Sequence, residues 1–182
     1  SIEKKNAQLT GEPHDRGRIV IVDPRRTVTI AACEAEAGVE NVLHLQIKSG
    51  TDLALFNALF TEIAEKGWVD QTFIDASTST EAGTGNGSDP ARPGALTSFA
   101  DARDGVRMTV DEAAKITGLS PDDIRKAAAW IAEPKTGGAR RRTMFAYEKG
   151  LIWGNDNYRT NGALVNIALA TGNVGRPGGG VV

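Results

Sequence analysis

Short runs of aliphatic residues alternate with amphipathic stretches along this chain. Ile19 to Val22 is the first run: four apolar residues, too brief for a helix and closed at once by Asp23 and Pro24. It predicts a buried strand that ends abruptly. Residues 28–37 are rich in Ala and predict a short helix or irregular turn, stopped at Gly38. In residues 41–48, Val42 and Leu43 lead into the alternating Leu45 and Ile47, which predicts a second strand. Ser49, Gly50, Thr51 and Asp52 then make a turn. Beyond it Phe56, Leu59, Phe60 and Ile63 fall at i, i+3, i+4 and i+7, one apolar stripe of a helix capped by Thr51 and ended by Gly67.

The second half repeats the alternation less regularly. Asp70 is placed to cap a short helix through Ile74. Residues 77–98 loosen into Ser, Thr, Gly and Pro and read as a surface insertion. The glycine-rich string at 83–90 neither follows a strand nor opens a helix, and it lacks calcium-loop spacing. Thr109 and Glu112 form a capping box for a helix that Gly118 stops; Ser120 and Pro121 start another, with Ile124, Ala127, Ala128 and Ile131 as its buried stripe. Residues 143–147 predict a strand running into a loop, 148–159, that crowds charge, amide, aromatic and glycine together. An apolar helix is expected from Gly162 to Thr171, and residues 173–180 read as a turn whose amides are free to face a ligand.

Strand, turn, helix in this order predicts an α/β chain: a dinucleotide-binding-like parallel sheet with flanking helices. In such sheets ligands gather beyond the carboxyl ends of the strands. Asp23 stands there with Arg25 close behind; Gly50 lets the backbone approach a ligand, and Asp52 sits near a helix N-terminus. A carboxylate at that place can accept two parallel hydrogen bonds, which is what the N1 and N2 edge of guanine offers. Asp-Pro is also an ordinary way to end a strand, and Asp52 also serves helix-start chemistry. A nicotinamide-binding domain, in which Asp23 would hold a ribose, needs a Gly-x-Gly-x-x-Gly turn before the strand, and residues 1–17 have none. A non-catalytic interaction module would leave the two strand-end acids a coincidence.

Composition narrows the picture modestly. The 182 residues, 40% of them hydrophobic, suffice for a domain with a core. The chain starts at Ser1 without Met and closes on Gly178 to Val182, read as a turn, so a piece of a longer polypeptide is expected. No signal peptide is visible, and no apolar run approaches the roughly 20 residues of a membrane helix. A net charge of −2 gives no pull toward nucleic acid, and the cluster Arg140 to Arg142 reads as a solvated loop. Cys33 is alone, and His14 and His44 lack ligand spacing; both histidines read as structural or surface residues, and no metal ligand is assigned.

Three stretches taken together carry a resemblance: Val22-Asp-Pro-Arg-Arg-Thr27, Leu45-Gln-Ile-Lys-Ser-Gly-Thr-Asp-Leu-Ala-Leu55, and Ala-Thr-Gly-Asn-Val-Gly-Arg-Pro-Gly-Gly ending at Gly179. In this order they resemble the molybdopterin oxidoreductases of the dimethyl sulfoxide reductase family. Within it, Tyr147-Glu-Lys-Gly-Leu-Ile-Trp-Gly-Asn-Asp-Asn-Tyr-Arg159 and Asn41-Val-Leu-His-Leu45 are similar to the large, catalytic subunits of arsenite oxidases. The resemblance spans the chain apart from residues 77–98. It implies a piece of the domain holding a molybdenum bis(molybdopterin guanine dinucleotide). Asp23 and Arg25 then match contacts to one guanosine end; Gly50, Thr51 and Asp52 match the turn whose acid reads guanine. Lys149, Gly150 and Trp153 match a loop near the pterin and phosphates. Arg26 and Arg159 are as well explained by surface salt bridges. The implied chemistry is oxidation of arsenite to arsenate by oxygen-atom transfer, in the periplasm. A Rieske-type small subunit, a cytochrome c or azurin-like electron acceptor, and an iron–sulfur cluster outside these residues are implied with it. Catalytic residues are not assigned within this piece, which alone is expected to be inactive. Relatives acting on nitrate, formate or a sulfur compound are the near alternative.

Overall fold

Two parallel strands set the geometry. In a computed structural model of the chain, which describes residues 12–78, 99–154 and 156–182, β1 (Ile19–Val22) pairs with β2 (Val42–Leu45), Ile19 opposite Val42 and Val22 opposite Leu45. Parallel neighbours need a crossover, supplied by α1 (Val28–Ala37), which Gly38 ends as expected, and a 3-10 turn at Val39–Asn41. The carboxyl ends of both strands therefore open on the same edge.

From that edge the chain turns into α2 (Asp52–Glu65), the hub of the core. The expected stripe is buried: Phe56, Leu59, Phe60 and Ile63 are each at most 5% exposed. Four further helices follow: α3 (Gln71–Ser77), α4 (Phe99–Gly105), α5 (Val110–Thr117) and α6 (Pro121–Ala132). α5 and α6 pack on α2. The capping box of Thr109 and Glu112, the left-handed Gly118 and the cap of Ser120 all form. The stripe Ile124, Ala127, Ala128 and Ile131 is buried, as its spacing predicts.

The remaining elements are β3 (Met144–Phe145), α7 (Lys149–Ile152), α8 (Asn157–Ala170) and β4 (Gly180–Val181). α8 lies along α2 and buries Ala163, Leu164, Ile167 and Ala168. Three expectations need correction here. The last residues are not a turn: β4 pairs in parallel with β3, and Val182 continues the ladder by donating to Phe145 O at 2.9 Å. α8 begins five residues before Gly162, since Thr160 bonds back to Asp156 O and Gly162 faces open space that a helix interior tolerates. Arg141 is not solvated: at 8% exposure it donates to Glu133 O and His14 O, tying the loop before β3 to the segment before β1. Burial lowers the pKa of its guanidinium. The insertion expected at 77–98 lies, but for its first two residues, outside the described residues.

The glycine-rich segment after α8 serves the chain's own packing. Asn173 is buried; its Oδ1 accepts from Thr143 N at 3.0 Å and its Nδ2 donates to Thr171 Oγ1 at 2.9 Å. Arg176 Nη1 lies 3.0 Å from Asp70 Oδ2, and Asp70 Oδ1 caps α3 by accepting from Phe73 N at 3.0 Å. Gly172, at φ +64°, sits against that carboxylate, where a Cβ would come within 2.6 Å of Asp70 Oδ2. Both space and backbone exclude a larger residue.

Two stability outcomes are expected. Ile63→Ala, at a fully buried site of α2, lowers the urea unfolding free energy by about 2 to 5 kcal/mol. Asp70→Ala removes a helix cap and the partner of Arg176, and lowers it by about 1 to 3 kcal/mol. Asp70→Asn, which keeps the cap acceptor, is expected to lose less in the same titration.

Candidate functional site

The edge where β1 and β2 end carries two turns. At the first, Asp23 N makes the last rung of the ladder, donating to Leu45 O at 3.2 Å. Pro24 has no N–H and stops it. Asp23 Oδ1 accepts from Arg25 N at 2.7 Å, so the carboxylate folds its own turn, as the ordinary strand-ending role requires. The Arg25 side chain is exposed, and among the described residues no acid pairs with it. Arg26 pairs instead with Glu34 of α1, through both terminal guanidinium nitrogens, with Nη1 to Oε1 at 3.0 Å. This hydrogen-bonded pair holds Glu34 below its ordinary pKa.

At the second turn, Gly50 stands at φ +80° with nothing within 4 Å of where a Cβ would lie. The backbone there is uncovered. Thr51 does not cap α2 as predicted: its hydroxyl donates back to Lys48 O at 2.7 Å. Asp52 opens the helix half-buried, and burial pushes its carboxyl up from the ordinary value, outweighing a hydrogen bond the carboxylate accepts from its own backbone N–H. Among the described residues no Lys, Arg or His pairs with it. A partly desolvated carboxylate without an internal cation fits a ligand that brings paired N–H donors.

Lys149, Gly150 and Trp153 lie on or just after α7, which follows β3 and packs on α8. All are exposed, Trp153 by 76%; Lys149 Nζ lies 5.4 Å from the Trp153 ring centroid, and Gly150 faces open space. The structure thus brings Asp23 and Arg25 to the same edge as Gly50, Thr51 and Asp52. The α7 turn belongs to the other strand pair, and among the described residues no hydrogen bond or ion pair joins it to that edge. In the segment 173–180, expected to offer free amides, the side chains of Asn173 and Arg176 are tied to Thr143, Thr171 and Asp70, and the amides of Asn173 and Gly179 donate to Ala168 O and Arg176 O. Arg159 is exposed on α8, with no ion pair among the described residues.

Two contacts escaped the reading of the sequence. His44 Nε2 lies 2.9 Å from Asp23 O, and Gln46 Nε2 donates to Pro24 O at 3.2 Å. The available signal is two polar side chains at alternate positions where β2 ends, opposite a proline that cannot donate. Among the described residues no group of three His, Cys, Asp or Glu is arranged to hold a metal ion, and no helix is long and apolar enough to cross a membrane.

Comparison with known proteins places this geometry. Residues 4–182 match the family model for molybdopterin oxidoreductase. The chain is 43% identical over 180 residues to the arsenite oxidase subunit AioA of Herminiimonas arsenicoxydans, covering 99% of this chain and 20% of that protein. It is 36% identical to the iodate reductase subunit IdrA of Denitromonas iodatirespirans, covering 91% and 20%. A nitrate reductase of Symbiobacterium thermophilum is 34% identical, covering 88% and 18%. The chain therefore spans about a fifth of the length of the relatives it matches. Among solved structures, acetylene hydratase from Pelobacter acetylenicus shares the fold with a TM-score of 0.63 at 19% identity, over 88% of this chain and 18% of that one. With parallel strand pairs flanked by helices and a family model matched across almost its whole length, the chain belongs to the molybdopterin oxidoreductase family.

Proposed function

We propose that this chain is the guanosine-binding part of a molybdenum enzyme that oxidises arsenite to arsenate, residues 1–182 forming part of one cofactor-binding domain with a surface insertion at 77–98. Family membership supports a molybdenum–molybdopterin cofactor. The guanine dinucleotide form rests on one observation: Asp52 is a half-buried carboxylate that burial has made costly to ionise, beside the uncovered Gly50 turn and with no cation of the described residues against it. Guanine would satisfy it through N1–H and N2–H. Arg25 and Lys149, exposed cations at two loop sites, would meet phosphates; Thr51 would hold the turn, and Trp153 would lie against the pterin end. When bound, the molybdenum pterin supplies a two-electron couple and oxygen-atom transfer. These residues bind and orient it.

The identity to an arsenite oxidase subunit supports arsenite as substrate. Iodate is the second reading, supported by the 36% identity to iodate reductase subunits. Periplasmic location, a Rieske-type small subunit, a cytochrome c or azurin-like acceptor and an iron–sulfur cluster elsewhere in the complete protein belong to the same proposal. The test is reduction of an electron acceptor by the full-length, molybdenum-loaded protein. Turnover with arsenite supports the proposal; iodate consumption with silence toward arsenite replaces it.

Asp52 yields two further outcomes of opposite sign. In the full-length protein, Asp52→Ala leaves guanine donors unpaired and weakens cofactor retention by about 1 to 3 kcal/mol, read as molybdenum and acid-released GMP per chain. Wild-type content in that variant contradicts the guanine role. In the cofactor-free form, a folded-state pKa above the ordinary value of 3.8 means that ionised Asp52 opposes folding. That opposition is absent below the ordinary value and complete above the folded one. Asp52→Asn is therefore expected to raise the urea midpoint at pH 7, with the gain shrinking as pH falls into the carboxylate range. A variant less stable than wild type at pH 7 contradicts the assignment.

A further inference from the structure

The turn at residues 23–26 is held by side chains from outside it as well as by its own. The Asp23 carboxylate already closes it on Arg25 N. Beyond it the backbone ladder cannot continue, because Pro24 lacks an N–H and its carbonyl has no main-chain donor on β2. Two side chains take over, one on β2 and one just beyond its end: His44 Nε2 on Asp23 O at 2.9 Å and Gln46 Nε2 on Pro24 O at 3.2 Å. Since the acceptor is a carbonyl, Nε2 of His44 must carry the proton. On the far side Arg26 is drawn to Glu34 of α1. Three side-chain contacts thus converge on a turn whose Pro24, Arg25 and Arg26 are exposed. Arg25 is left as the guanidinium of the turn with no acid partner among the described residues.

We infer that His44, supported by Gln46, is a positioning residue that fixes the Asp23–Arg25 turn so that the Arg25 guanidinium is pre-aimed at an anionic group of the bound dinucleotide. The inference rests on the dinucleotide reading above. Its physical content is preorganisation: a phosphate-binding arginine on a turn already fixed loses less freedom on binding than one on a loose turn. Neither His44 nor Gln46 need touch the ligand.

The test uses the full-length holoenzyme and follows molybdenum and acid-released GMP retained on the protein after dilution and gel filtration at set times. His44→Ala is expected to release both roughly two- to tenfold faster than wild type, the range a single lost hydrogen bond gives. His44→Gln carries an N–H at about the reach of Nε2 and is expected to restore wild-type retention, which a loss of general packing would not allow. On an Arg25→Ala background, His44→Ala is expected to add nothing. Wild-type release from His44→Ala, equal impairment of the Ala and Gln variants, or full additivity with Arg25→Ala overturns the inference. Should His44→Ala fail to accumulate, the exposed Gln46→Ala carries the test, and wild-type release from it overturns the inference. If Arg25→Ala itself retains cofactor normally the inference falls with it, while Asp52→Ala separately reports whether the dinucleotide reading stands.

Discussion

Everything proposed for this chain depends on the parallel pairing of β1 with β2. Antiparallel strands would send the two turns to opposite edges; the parallel register, Val22 beside Leu45, opens both on one. Asp23 and Arg25 follow the first strand, and Gly50 to Asp52 follow the second, so acids and cations far apart in sequence share an edge. The crossover that makes this possible is short: α1 and a 3-10 turn bring the chain back within twenty residues of leaving β1.

That edge is held in place by the core behind it. α2 begins at the Gly50 turn and then buries Leu55, Phe56, Leu59, Phe60 and Ile63 against α5, α6 and α8. Its first residue is therefore anchored by its last three turns. Asp52 takes a position that burial makes unfavourable to a carboxylate, and the packing of α2 offsets that cost. Such a locally unfavourable group, kept by a favourable scaffold, is what a binding site built for an outside donor looks like.

Much of this was legible in the sequence where the cause is local. The stripes of α2 and α6 and the caps at Thr109 and Ser120 each lie within a few residues, and each forms as read; β1 forms on its β-branched run but is only partly buried rather than buried, and β2 stops at Leu45, short of Ile47. What was missed depends on distant partners. β4 is two residues long, one of them glycine, and exists because β3 lies beside it. Arg141 looks like its exposed neighbours and is buried because the segment before β1 and the end of α6 both offer it carbonyls. The early start of α8 was hidden by Gly162, which reads as a break but faces solvent. Of the site, the residue types and turns were readable; the burial of Asp52 and the grip of His44 on Asp23 were not, since both arise from strand pairing and helix packing.

The shared strand edge is proposed to receive a guanine nucleotide end of the cofactor. The most direct measurement is a crystal structure of the full-length, cofactor-loaded protein. It is expected to show a guanine base with N1 and N2 within hydrogen-bond distance of the Asp52 carboxylate and an anionic group of the dinucleotide beside the Arg25 guanidinium. An Asp52 carboxylate paired with a cation from elsewhere in the complete chain, and a base bound away from the β1–β2 edge, would contradict this proposal.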